Sequence, residues 1–132
     1  MKKIKKVCLI EDDDIQVYLL RKLLQKTGRV LDIIDYRNGK AAYDAMKELV
    51  DTGEQLPELI FLDLNMPLWD GWEFLREFSK LDGFPEVNIW ILTSSLSPND
   101  YEKAEGYGLR EQYISKPIEF SIMHRILDEV TG

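Results

Sequence analysis

Five side chains suited to metal or phosphate chemistry stand at the ends of short, mostly apolar segments. They are Glu11, Asp12, Asp63, Thr93 and Lys116. Clustered carboxylates are hard oxygen ligands, which favour Mg²⁺ or Ca²⁺ over soft metals. A carboxylate left free by the metal could accept a phosphoryl group as an acyl phosphate, and Asp63 is the natural candidate because it ends the central apolar segment. The Lys116 ammonium and the Thr93 hydroxyl could offset the charge of the phosphoryl group during transfer. The five residues together therefore predict Mg²⁺-dependent phosphoryl transfer.

The apolar pattern predicts the elements that must position these residues. Nearly continuous apolar runs predict buried strands at residues 6–10, 31–36, 59–62, 89–92 and 113–114. Amphipathic segments predict helices at residues 15–26, 40–50, 73–81, 98–106 and 119–130. In the fourth helix, Ser97 is expected at the N-cap, Pro98 in the first turn and Asp100 in a capping box.

The alternation of strands and helices predicts a single α/β domain with a doubly wound parallel sheet. This domain is expected to occupy residues 1–132, with a core from about residue 5 to about residue 130. Ligands of open α/β sheets bind beyond the carboxyl ends of the strands. The five chemical side chains are therefore expected to converge on one edge of the sheet.

Composition excludes several classes of protein. The net charge of -7 over 132 residues disfavours binding to nucleic acid or to an anionic membrane and suits a soluble cytoplasmic protein. The chain contains one cysteine, Cys8, which cannot form an internal disulfide and is predicted to be a small buried strand residue. The basic start MKKIKKVCLI is followed by acids after only four apolar residues, too few for a secretory signal. No apolar run approaches the length of a transmembrane helix.

The ordered motifs resemble the receiver domain of two-component response regulators. The matching segments are Glu11-Asp12, Asp63 within DLNMPLWDG, Thr93 within ILTSS, and Lys116-Pro117 within YISKP. The resemblance covers essentially the whole chain. It implies a flavodoxin-like (βα)5 fold with strand order 2-1-3-4-5.

The resemblance also implies a metal site. Asp12 would bind Mg²⁺ directly and Glu11 largely through water, while Asp63 and the backbone carbonyl of Asn65 would supply the other protein ligands. Asn65 and Ser95 also occupy family positions that tune how fast the phosphoryl group is lost.

The run of four acids leaves a second assignment open, in which the metal-binding pair is Asp12 and Asp13. We favour Glu11 and Asp12, because the first member is often glutamate in the family and Ile10 closes the strand. Asp13 or Asp14 is then predicted to cap the first helix, where negative charge is stabilising.

The remaining roles that the resemblance implies concern the phosphoryl group. Asp63 would be the phosphoacceptor, and Thr93 would bind a phosphoryl oxygen after transfer. Lys116 would pair with Asp63 before transfer and with the phosphoryl group afterwards, and its bond to Pro117 is expected to be cis. Tyr113 matches the switch aromatic, which turns inward when Thr93 moves towards the phosphate.

The resemblance implies a signalling protein rather than a turnover enzyme on external substrates. A sensor histidine kinase or a phosphotransfer protein would donate the phosphoryl group. The surface of the fourth helix, fifth strand and fifth helix would contact a downstream protein, and a second copy of the chain is a further candidate partner. The clean end of the last helix favours a stand-alone regulator over a receiver that belongs to a longer protein.

Three points stay open at the level of sequence. An aspartyl-phosphate hydrolase would need a second acid where Asn65 stands. A flavodoxin-type flavin binder would place a phosphate after the first strand, where the acidic run would repel it. Trp69 is predicted to pack within its loop, with a partner contact or a gate over the phosphate as the alternative.

Overall fold

The chain alternates strands and helices from end to end of its described part. The computed structural model describes residues 2–94 and 97–132. Within these ranges the strands are β1 Ile4–Ile10, β2 Val30–Tyr36, β3 Leu59–Asp63, β4 Asn88–Thr93 and β5 Tyr113–Ser115. The helices are α1 Asp14–Thr27, α2 Gly39–Asp51, α3 Gly71–Phe78, α4 Pro98–Gly106 and α5 Phe120–Thr131. Short 3-10 turns cover Phe84–Glu86 and Arg110–Gln112.

The five strands form one parallel sheet in the order β2-β1-β3-β4-β5. Ile10 pairs with Leu62, Asp63 pairs with Leu92, and Thr93 pairs with Ser115. The register therefore brings the carboxyl ends of β1, β3, β4 and β5 to one edge of the sheet. Both the doubly wound architecture and the strand order expected from the sequence are confirmed.

The two faces of the sheet carry separate apolar clusters, because successive strand side chains point to opposite faces. On one face Ile60 and Leu62 pack with Phe74 and Phe78 of α3. On the other face Phe61 of β3 packs with residues of α1 and α5. Full burial of each large apolar side chain contributes about 1.5–3 kcal/mol relative to exposure. The central strands therefore form a firmly packed support for the residues at their ends.

Helix α3 differs from its predicted range of 73–81. It begins at Gly71 because Asp70 caps it: the Asp70 side chain accepts from the backbone of Glu73, and the Glu73 side chain accepts from the backbone of Asp70. The aspartate and the glutamate three residues later are a capping-box signature in the sequence. The helix ends at Phe78, where Ser79 forms the C-cap.

Helix α4 begins as predicted, with Ser97 at the N-cap position and Pro98 in the first turn. The capping box predicted there is wrong, because the Ser97 side chain makes no capping hydrogen bond to the described residues of α4. Asp100 instead accepts a hydrogen bond from the Trp72 indole. Within residues 2–94 and 97–132, no helix combines the length and apolar character needed to cross a membrane.

Candidate metal and phosphoryl site at the carboxyl edge of the sheet

Three carboxylates meet at the ends of β1 and β3. Glu11, Asp12 and Asp63 each offer an oxygen, and these oxygens all lie within 4.8 Å of one another. Glu11 is 3% exposed and Asp63 is 6% exposed, whereas Asp12 is open to solvent. A compact set of hard oxygen donors with one open side fits Mg²⁺, which usually takes one or two carboxylates and keeps several waters.

The acidic run divides at the start of α1. The amide of Glu11 donates to the Tyr36 carbonyl at 3.0 Å, which continues the pairing of β1 with β2. The carboxylate of Asp13 accepts from the amide of Ile15 at 2.8 Å and caps α1. The structure therefore groups Glu11 and Asp12, not Asp12 and Asp13, with Asp63.

Lys116 reaches this cluster from the end of β5. Its backbone amide donates to the Thr93 carbonyl at 2.9 Å, and its bond to Pro117 is cis, as expected. Its ammonium lies 3.3 Å from Asp63 Oδ1 and forms a closer hydrogen-bonded ion pair with Glu11 Oε1. The contact with Asp63 was predicted, but the contact with Glu11 was not. One largely buried ammonium thus pairs with two buried carboxylates.

The site carries more negative than positive charge, and the pKa values reflect this. Burial raises the pKa of Glu11, and the neighbouring charge of Asp63 adds to the effect, while the hydrogen bond from Lys116 opposes it. Burial and the proximity of Glu11 also raise the pKa of Asp12. Burial lowers the pKa of Lys116, but its bond to Glu11 and the charges of Asp63 and Glu11 outweigh this, so the net shift is upward. A divalent cation would relieve the repulsion among the acids.

The loop after Asp63 packs very closely against the start of α3. The amide of Gly71 donates to the Leu64 carbonyl at 3.0 Å. A Cβ on Gly71 would lie 2.7 Å from the backbone oxygen of Asp63, so a glycine is required for this approach. Asn65, two residues beyond Asp63, is exposed at the rim.

The same loop is tied to the first turn of α2. Leu68 and Trp69 have φ values of 50° and 71°, which only a minority of non-glycine residues adopt. Their carbonyls accept from the amides of Lys40 and Gly39, each at 3.0 Å. The Trp69 ring lies 5.2 Å from the ring of Tyr43 and beneath the Lys40 ammonium. Trp69 therefore packs onto α2, a contact that the prediction of packing within its loop did not include.

The two predicted switch residues lie on β4 and β5. Thr93 is fully buried at the end of β4. Tyr113 is half-buried at the start of β5, and its ring meets Tyr101 of α4 edge-on at 5.5 Å. Both tyrosines line a groove of about 460 Å³ beside α4. Ser95, predicted to tune the loss of the phosphoryl group, lies outside the described residues.

Comparisons with known proteins agree with this fold. The family described as "Response regulator receiver domain" matches residues 7–128. The chain is 28% identical over 124 residues to the "Probable methanogenesis regulatory protein FilR2" of Methanothrix harundinacea, an alignment that covers 94% of this chain and 79% of that protein. It is also similar to a two component response regulator from Cytophaga hutchinsonii, with a TM-score of 0.86, 33% identity and 98% of both chains covered.

Another similar structure is the receiver domain of a sensor histidine kinase from Pseudomonas aeruginosa, which has a magnesium ion coordinated in its active site cleft. Its TM-score is 0.80 at 22% identity, with 97% of this chain and 98% of that one covered, so this likeness concerns the fold. Some relatives are much longer than this chain, which spans 13% of the sensor histidine kinase CheAY of Helicobacter pylori.

The family match covers most of the chain, and the parallel sheet brings together the acidic cluster and the lysine on which the sequence resemblance rests. The chain belongs to the response regulator receiver domain family of two-component signalling.

Proposed function

We propose that Asp63 accepts a phosphoryl group from a phosphohistidine of a sensor kinase or phosphotransfer protein, in a reaction that requires Mg²⁺. One observation carries the proposal: the Asp63 carboxylate lies within 4.8 Å of the carboxylates of Glu11 and Asp12 and 3.3 Å from the ammonium of Lys116. The proposed nucleophile Asp63 thus lies beside a pair of carboxylates that can bind a cation and beside a positively charged side chain.

The phosphoryl transfer is a simple displacement at phosphorus. A carboxylate oxygen of Asp63 attacks phosphorus, the phosphorus–nitrogen bond breaks, and its electron pair returns to the imidazole of the donor. The product is an acyl phosphate on Asp63, which water later hydrolyses to carboxylate and inorganic phosphate. Positioning and charge compensation supply most of the catalysis in phosphoryl transfer. Lys116 compensates charge on the phosphoryl oxygens, and the Thr93 hydroxyl donates to one of them after transfer.

Glu11, Asp12, Asp63 and the backbone carbonyl of Asn65 would hold the Mg²⁺. When bound, the ion neutralises charge that develops on the phosphoryl oxygens. The donor set supports this assignment because it consists of oxygens, includes two buried carboxylates and leaves Asp12 open to a hydrated ion. The magnesium ion in the Pseudomonas aeruginosa receiver supports it by analogy.

The phosphoryl group would act as a switch rather than as a step in turnover. A ligand shifts a conformational equilibrium only by binding one conformer better than another. Thr93 would bond to the phosphoryl group, and Tyr113 would respond by turning inward. The groove between α4 and β5, which Tyr113 lines, supports a protein-binding role for the α4-β5-α5 surface. The partner would be a downstream cytoplasmic protein or a second copy of this chain, with residues 1–132 acting as one domain.

Intact-mass spectrometry tests this function. The protein is incubated with Mg²⁺ and either acetyl phosphate or phosphoramidate, whose phosphorus–nitrogen bond resembles that of phosphohistidine. We expect one phosphoryl adduct on the wild type, no adduct on Asp63→Asn, and loss of the adduct when EDTA replaces Mg²⁺. Asp44→Asn, an exposed position on α2, is the matched control and should be labelled like the wild type. Equal labelling of Asp63→Asn, or none of the wild type, would reject the proposal.

A further inference from the structure

Trp72, in the first turn of α3, contacts α4 along one face of that helix. Its indole Nε1 donates to Asp100 Oδ1 at 2.9 Å. The Lys103 ammonium lies 5.8 Å from the centre of the indole, and the Tyr107 ring stacks on the indole at 6.2 Å with an interplanar angle of 13°. Residues 100, 103 and 107 follow helical spacing, so one indole spans α4 from its first turn to its C-cap. We call these three interactions the Trp72–α4 contact.

Few side chains of helix α4 are buried among the described residues. Of the residues from Pro98 to Gly106, only Ala104 is buried in this described helix. Short helices depend on tertiary packing for stability. On another side of α4, Tyr101 meets the ring of Tyr113. The Trp72–α4 contact therefore makes a large contribution to fixing the position of α4.

Both ends of this contact lead back to the proposed phosphoryl site. Trp72 follows Gly71, whose backbone lies against the backbone of Asp63. At the other end, only four residues separate Thr93 from Pro98, the first residue of α4. The indole thus links α3, which follows Asp63 in the sequence, to α4, which follows Thr93.

Thr93 can move towards a phosphoryl group on Asp63 only if its packed surroundings also move. Thr93 is fully buried, so its side chain can meet a phosphoryl group that enters from the open side at Asp12 only if the end of β4 shifts. Such a shift of Thr93 pulls on α4 because the two lie close along the chain, and the Trp72–α4 contact opposes movement of α4 because it fixes α4 against α3.

We propose that Trp72 is a positioning residue for phosphorylation of Asp63: it restrains α4 and thereby slows the entry of the phosphoryl group. This inference rests on the proposed phosphorylation of Asp63. Trp72 would act through its contact with α4, not through direct contact with Asp63 or the phosphoryl group.

The test compares Trp72→Phe with Trp69→Phe. Phenylalanine at residue 72 keeps an aromatic ring but removes the donor to Asp100. Trp69→Phe is the matched control, because it removes an indole from the same loop region that packs on α2 instead. Loss of a hydrogen bond to a charged group should raise the equilibrium constant for local opening by roughly tenfold or more. The backbone amides of α4 in Trp72→Phe should therefore exchange about tenfold faster. The same variant should form the adduct with phosphoramidate and Mg²⁺ at least about threefold faster, whereas Trp69→Phe should match the wild type in both measurements.

A double-mutant cycle distinguishes loss of the bond between Trp72 and Asp100 from general destabilisation of the Trp72→Phe variant. Asp100→Ala should speed up adduct formation as Trp72→Phe does, and the double variant should add little further, because both changes remove the same bond. Asp100→Asn keeps an oxygen acceptor and should behave like the wild type.

Two results would overturn the inference alone. One is unchanged exchange in α4 of Trp72→Phe, and the other is faster exchange with an unchanged rate of adduct formation, which would make the contact merely structural. Absence of any adduct on the wild type would overturn the proposed function first and this inference with it.

Discussion

Replacement of Lys116 by methionine should show how strongly its largely buried ammonium stabilises the acidic site. Methionine has similar length but no charge. The Lys116 ammonium lies 3.3 Å from Asp63 Oδ1, so with an effective dielectric constant of about 20 the attraction between the two charges is about 5 kcal/mol. The side chains are 14% and 7% exposed, so solvent screens the pair only weakly. Part of the attraction offsets the cost of burying the ammonium, and loss of one partner from a buried pair costs about 3–5 kcal/mol.

Urea unfolding in EDTA at pH 7 measures this loss. With a slope of about 2 kcal/mol per molar urea, the midpoint of Lys116→Met should fall by roughly 1.5–2.5 M. Mg²⁺ should recover more stability in the variant than in the wild type, because it replaces the missing positive charge. Lys47→Met removes an exposed lysine that pairs with Asp51 and should leave the midpoint unchanged.

The effect of pH on Lys116→Met follows from Glu11. Its pKa is already raised above the ordinary 4.5 by burial and by Asp63, and loss of the hydrogen bond from Lys116 should raise it further. The folded variant then binds a proton more tightly than the unfolded chain, so its stability rises as the pH falls from neutrality towards 4.5. The deficit relative to the wild type should shrink between pH 7 and pH 5. A loss below about 1 kcal/mol, or an equal loss at both pH values, would refute the reasoning.

Three further predictions concern the site and its supports. Mg²⁺ affinity, measured by titration calorimetry, should weaken as the pH falls towards 4.5, because Glu11 and Asp12 have raised pKa values and must lose their protons to bind the ion; constant affinity down to pH 4.5 would contradict this. Cys8 is fully buried, and burial raises the pKa of its thiol far above 9.0, so a thiol reagent should label it only after unfolding; rapid labelling of the native protein would contradict this. Gly39→Ala would place a Cβ 2.5 Å from the backbone oxygen of Trp69 and should lower the free energy of unfolding, measured by thermal unfolding, by about 1–3 kcal/mol. Gly106→Ala is the control, because its Cβ would meet no described atom within 4 Å. Equal unfolding midpoints for the two variants would contradict this prediction.

The pattern of apolar residues predicted the central strands well because both faces of the sheet are covered there. The run Leu59-Ile60-Phe61-Leu62 has no polar residue until Asp63, and the structure buries all five. The same pattern predicted helix ends less well, because a side-chain cap decides where a helix begins. Helix α3 shows this: the hydrogen bond from the Glu73 amide to Asp70 lets the helix begin at Gly71, two residues before its predicted start.

The site could be predicted in outline because parallel strands align their carboxyl ends. This rule places Glu11, Asp12, Asp63, Thr93 and Lys116 at one edge without any knowledge of side-chain positions. The strand order came from the family resemblance, since apolar runs alone do not determine which strands are neighbours.

Contacts between distant side chains could not be predicted in this way. The ion pair of Lys116 with Glu11 joins residues 105 positions apart, and the bond of Trp72 to Asp100 joins residues 28 apart. Both depend on the reach of long side chains and on how each element lies against its neighbours. Neither property leaves a periodic signal in the sequence.

The most direct test of the central claim locates the phosphoryl group within the chain. Borohydride reduces an aspartyl phosphate to homoserine, which peptide mass spectrometry can assign to a single residue. After treatment with phosphoramidate and Mg²⁺, we expect homoserine at residue 63 and unmodified acids at residues 11 to 14. Homoserine at residue 12, 13 or 14, or no homoserine at residue 63 in protein that carries the adduct, would contradict the assignment of Asp63 as the phosphoacceptor.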